Sequence, residues 1–174
     1  MPLCILPSRA VFTSLAIACL LSSGCSTSQL VARGASPLID HGVTAMNRET
    51  DLELPRASIP ANLKMIEALL LADPDSTAYR VQAAMGFYGY ALGFVEADDR
   101  DRAAALYLRA RDHAQAALDR EKVTPATLTG NAAELERALA RLDARAVPAL
   151  FWTASTWGKW IELQLDDPAR LAEL

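Results

Sequence analysis

The chain has 174 residues, a 52% apolar share and a net charge of −4. That is long enough for one domain with a real core and too apolar for a disordered tail. The acidic balance argues against a nucleic-acid partner, since phosphate recognition needs a basic face.

At the amino terminus Arg9 is the lone charged side chain before Arg33, and Ala10 to Leu21 is a run of apolar or small residues. A bilayer span needs about 20 residues, so this run is too short to cross a membrane. It fits the apolar middle of a secretory signal peptide behind a positive start. The run ends in Leu21-Ser22-Ser23-Gly24-Cys25-Ser26. Small residues before a cysteine resemble the bacterial lipobox, in which cleavage before the cysteine is coupled to acylation of its thiol and amine. Ser22 stands where the motif usually has leucine, and ordinary cleavage near Ser23 or Gly24 is the alternative. With Cys4 and Cys19 inside the leader, Cys25 is the cysteine left to the mature chain, which excludes an internal disulfide and a cysteine zinc site. The expected organisation is a signal peptide over 1–24, lipidation at Cys25, a tether over 25–35, and a helical-repeat domain over 36–174. Ser26 in place of aspartate favours the outer membrane over the inner as the anchoring site.

In the mature part, Ser36-Pro37 reads as a hydroxyl cap followed by proline at the first helical position. The helix it opens is expected to run to about Thr50, burying Leu38, Ile39, Val43 and Met46. Ser58 is expected to cap the next helix, with Pro60 in its first turn and Ile59, Leu63, Ile66 and Leu70 inside. Asp73-Pro74 ends it. Ser76 opens a helix with no charged residue between Ala83 and Val95, which predicts a central element covered on most sides. Gly86, Gly89 and Gly93 each cost about 1 kcal/mol of helix propensity. Close approach of a neighbouring helix is the simplest compensation; a glycine-lined ligand channel is the sharper one.

A turn at Glu96 to Asp99 leads into a helix over about Arg100 to Arg120, with Ala103, Tyr107, Ala110, Ala114 and Ala117 on its inner stripe and Arg102, Arg109, Arg111 and Asp112 outside. Val123 to Gly130 reads as a loop. Asn131 caps a helix with Leu135, Leu139, Leu142 and Ala146 inside. Pro148 then starts a helix to about Leu165 that holds all three tryptophans, Trp152, Trp157 and Trp160. Its predicted inner stripe is Leu150, Ala154, Trp157 and Ile161, leaving Trp152 and Trp160 to point elsewhere. These indoles either knit a core or line an apolar cavity. Lys159 among them is expected to be solvated or paired with Glu162. Asp167-Pro168-Ala169 looks like the start of one more helix, so the chain reads as the amino-terminal piece of a longer repeat protein.

No stretch alternates at period two. The fold class is all-α: stacked antiparallel helical hairpins of the tetratricopeptide-like α-solenoid kind, although no period of roughly 34 residues survives. Catalytic motifs are lacking, so no enzyme and no cofactor are expected. The two histidines, His41 and His113, stand apart and without partners at metal-ligand spacing, which predicts partly exposed helix residues and no metal site. Asp98, Asp99 and Asp101 are best explained by helix capping.

The order of motifs carries more than any one of them. A lipoprotein leader is followed by Asp51-Leu52-Glu53-Leu54, by Ile59 to Glu67 and by Ala72-Asp73-Pro74. Then come Phe87 to Glu96, Ala104, Leu106 and Tyr107 with Arg109-Ala110-Arg111, and Pro148 to Trp152 followed by Trp157-Gly158. This series resembles the T-component family of tripartite ATP-independent periplasmic (TRAP) transporters, from about Leu38 to Leu165. The resemblance implies a periplasmic, membrane-anchored lipoprotein that docks the solute-binding protein of a TRAP transporter, holds a hydrophobic ligand, and forms a homotrimer at full length. Family members are longer, which places trimer formation and closure of a cavity by this piece alone in question. The residues expected to contact a ligand are Trp152, Trp157, Trp160, Phe87 and Tyr90. A structural envelope scaffold of the same architecture, without a ligand, is the alternative.

Overall fold

The computed structural model describes residues 27–165, and among them every regular element is helical. In chain order these are α1 (Thr27–Met46), α2 (Glu53–Ala72), α3 (Thr77–Phe94), α4 (Arg100–Arg120), the short α5 (Pro125–Leu128), α6 (Ala132–Leu139), a 3-10 turn (Ala144–Ala146) and α7 (Val147–Leu163). The all-α class is as expected; the signal peptide, Cys25 and Asp167-Pro168 lie outside the described residues.

Two helices begin earlier than their cap signals predict. α1 starts by Thr27, so most of the expected tether is helix and Pro37 sits inside it, not at its first position. An interior proline forfeits a backbone hydrogen bond, and here tertiary anchors offset the loss. Ala32 is buried, and Gln29 and Arg33 donate to the Asp73 carboxylate at 2.9 and 3.0 Å. The Tyr79 hydroxyl donates to the Ala32 carbonyl. These contacts hold the stretch before Ser36 in register, while Leu38, expected inside, is exposed. α2 opens at Glu53 because Asp51 accepts from the Glu53 amide at 3.0 Å. Pro55 falls in the first turn, where no intrahelical N–H bond is required, and Ser58 is interior, its hydroxyl donating to the Leu54 carbonyl.

The other starts follow their caps. Ser76 accepts from the Tyr79 amide, Asp99 from that of Arg102 and Asn131 from that of Glu134. The α4 end is closed by Lys122 at φ 62°, after which Val123 bonds back to the Leu118 carbonyl. The Val123 to Gly130 loop contains α5, capped by Thr124, and α6 stops at Leu139 instead of running to Ala146.

α2 packs on α3, α3 on α4, and α4 on α7, with α1 laid against α2 and α7 also touching α3. The charge-free α3 is covered on most sides, by α2, α4 and α7, as expected, and α4 shares the centre with it. Ala103, Tyr107, Ala110, Ala114 and Ala117 are all fully buried, as their spacing predicts. Methyl-sized side chains let helices nestle on both sides of α4. On α3, Leu92 is 49% exposed, and Cβ atoms at Gly89 and Gly93 would meet nothing within 4 Å. Gly86 alone of these three makes the close approach: a Cβ there would lie 2.7 Å from Leu63 Cδ2 on α2.

α7 is rotated by one residue from expectation. Its core face is Ala149, Thr153, Thr156, Trp160 and Ile161, while Ala154 is exposed. Thr153 Oγ1 donates to the Ala149 carbonyl at 2.9 Å and Thr156 Oγ1 to that of Trp152 at 2.7 Å. With its hydroxyl satisfied inside its own helix, threonine presents a methyl group to the core and competes with leucine for an inner position.

Candidate functional site

The aromatic residues singled out by sequence do not converge on one cavity. Trp160 is 5% exposed and belongs to the α4–α7 core with Ile161, Tyr107 and Ala103, with the Arg111 guanidinium over its ring at 5.8 Å. Phe87 is buried with Leu63, Ile66 and Tyr79 in the cluster that joins α1 to α4. Tyr90 is half-buried and tilts against Phe94 at 5.8 Å. Trp152 and Trp157 are the indoles that keep access to solvent.

Around Trp152 a continuous aromatic strip does form. Tyr88 from α3 lies 5.3 Å from the Trp152 ring and also 5.3 Å from Tyr107, and Phe151 meets Trp152 edge-on at 4.9 Å. Phe151 is 56% exposed and Val147, one turn before it, 57%. Ala154 and Gly158 continue the line at helical spacing, both exposed. α7 thus presents Val147, Phe151, Ala154 and Gly158 outward while its other face is committed to α4. Trp157, at the flank, keeps its indole N–H buried and without a hydrogen-bond partner. A small concavity of about 40 Å³ between Pro74, Thr77, Arg80 and Arg120 is polar and has room for roughly a water molecule, not for a hydrocarbon ligand.

Two ionic seams join the packed helices. Lys159 is 15% exposed and bonds Glu96 at 2.7 Å as well as Glu162 at 3.1 Å, so the solvated reading of this lysine is corrected. The buried Tyr107 hydroxyl donates to the other Glu96 oxygen. Burial alone would raise the Glu96 carboxyl, but the bonds from Lys159 and Tyr107 outweigh it and hold it below the usual carboxylate range. The same hydrogen bond and burial push the Tyr107 phenol up, burial being the larger cause.

The second seam is centred on Glu67, which accepts from Arg109, Lys64 and His113. His113 is 9% exposed and stacks on Phe87 with an interplanar angle of 6°. The expectation of a partly exposed His113 is therefore overturned, while His41 is exposed. The signal was present: His113 stands between Ala110 and Ala114 on the inner stripe of α4, and Arg109 lies one turn before it. Burial lowers the His113 imidazole, and the neighbouring arginines lower it further against the pull of Glu67. No metal-holding cluster of histidine, cysteine and carboxylate occurs among the described residues, and no described helix is long and apolar enough to cross a membrane.

The family model of the TRAP transporter T-component matches residues 48–174, which runs from the start of α2 through all the packed helices after it. No curated protein and no solved structure matches the chain. The family match implies association with a TRAP transport system, in an accessory role. On this match, with an all-helical core to support it, the chain belongs to the TRAP transporter T-component family.

Proposed function

We propose that this chain is a lipid-anchored, periplasm-facing accessory that docks the solute-binding protein of a TRAP transporter through the outer face of α7. The observation that carries the reading is the line of Val147, Phe151, Ala154 and Gly158, exposed on a helix whose opposite face is fully used. Exposed aromatic and aliphatic residues in a row are typical of association surfaces. Trp152 and Tyr88 give the same surface an edge able to receive an apolar ligand. The leader ending in Gly24-Cys25 supplies the anchor, with the outer membrane as the favoured location. A homotrimer would place several such surfaces side by side.

The test replaces Val147 and Phe151 with glutamate in the full chain and measures co-purification with the cognate solute-binding protein. Unchanged thermal unfolding with at least a tenfold (about 1.4 kcal/mol) weaker association supports the docking reading; undiminished association overturns it. Cys25→Ala should release the protein from membranes into the soluble fraction. Fatty or aromatic ligands should change tryptophan fluorescence through Trp152 and Trp157. A flat response, together with undiminished association of the glutamate variant, leaves the ligand-free envelope scaffold.

A further inference from the structure

Side chains from α2, α3 and α4 meet around the face of Phe87. Glu67 comes from α2, Arg80 from α3, and Arg109 and His113 from successive turns of α4. The Arg109 guanidinium lies 4.6 Å from the Phe87 centroid and the His113 ring 5.7 Å. His113 Nε2 is 3.4 Å from Glu67 Oε1, and Nδ1 is 3.4 Å from Arg80 Nη1. A carboxylate only accepts and a guanidinium only donates. Both contacts are therefore hydrogen bonds only when the ring is neutral and its proton sits on Nε2.

A second proton, on Nδ1, sets donor against donor and cation against cation in a ring nearly closed to solvent. The charged groups facing it are Lys64 and Glu67 on α2, Arg80 on α3 and Arg109 on α4. The one carboxylate among these is already shared by Lys64 and Arg109, so it has little left to neutralise a new charge. Arg80 is the partner that must leave. Its Nη2 also reaches the Pro74 carbonyl at 3.5 Å. That carbonyl belongs to the α2–α3 corner, where Asp73 grips Gln29 and Arg33 of α1.

We propose that protonation of His113 expels Arg80 from this seam and loosens the α2–α3 corner, giving the fold an acid-sensitive joint at the point where α1 is attached. Nitrogen-resolved NMR of the imidazole in the whole chain should show the Nε2–H tautomer at pH 7.5 and titration below the ordinary histidine value of about 6.5. Amide exchange over residues 73–80, corrected for the intrinsic rate, should rise about tenfold between pH 7.5 and 5. In His113→Gln, whose amide can donate to Glu67 and accept from Arg80 without titrating, that rise should vanish. An Nδ1–H tautomer, a titration at or above the ordinary value, or an exchange response that persists in His113→Gln overturns the proposal. Should the variant fail to fold, the tautomer and titration of the unaltered protein decide.

Discussion

At the scale of single residues, stability should fall with acid in two steps. The His113 imidazole is lowered in the folded chain, so the unfolded state binds its proton first, and stability is lost as pH drops below about 6.5. Glu67 and Glu96 are lowered too, their hydrogen-bonded cations outweighing burial in each case. Their contribution is complete above the unfolded carboxylate range and disappears only below about pH 4.5. Urea midpoints followed from pH 8 to 3 should show both steps, and His113→Gln should remove only the upper one. Tyr107→Phe, which deletes a buried donor to a carboxylate, should cost about 1.5–3 kcal/mol in the same assay. The sequence displayed these positions but not their pairing. Tyr107 was legible as an inner residue from its spacing, yet its link to Glu96 and through it to Lys159 depends on where α7 comes to rest. The burial of His113 follows from its place beside Ala110 and Ala114 on the α4 stripe, which the absence of metal-ligand spacing does not reveal.

At the scale of helices, glycine and alanine act in opposite senses according to what lies against them. Gly86→Val should destabilise by about 1–3 kcal/mol, since Leu63 is buried and has little freedom to move aside. Gly89→Ala, with open space around its Cβ, should stabilise by about 0.5–1 kcal/mol through helix propensity. Thermal or denaturant midpoints of the two variants should shift in opposite directions. Ala110→Leu, at the fully buried contact of α4, should cost at least as much as Gly86→Val. The alanine stripe of α4 was readable because a periodic small residue has few other uses in a helix. The beginnings of α1 and α2 were not, since Ser-Pro and Ser-x-Pro are local signals that distant anchors at Asp73 and local ones at Asp51 overrule. The face of α7 lies one residue from the stripe its apolar spacing predicts, because threonine satisfies its hydroxyl within the helix and takes inner positions.

At the scale of the whole molecule, the helices form one connected body in which α4 is flanked by α3 and α7, and α1 is attached at one corner. The exposed apolar line on α7 is the surface on which the proposed docking rests. The early start of α1 has a mechanical meaning for the proposed anchor. A flexible tether over 25–35 would let the domain wander about 20 Å from its anchor, by the square-root growth of a coil with length. From Thr27 onward the chain is helix, and its first described turns are clamped to Asp73 through Gln29 and Arg33. On the proposed lipid anchor at Cys25, this clamp would shorten the leash between bilayer and body, since the stretch after Thr27 is held against Asp73. Replacing Gln29 and Arg33 together with alanine should lengthen that leash, broadening the distances between the membrane surface and a dye at residue 151 in single-pair energy transfer.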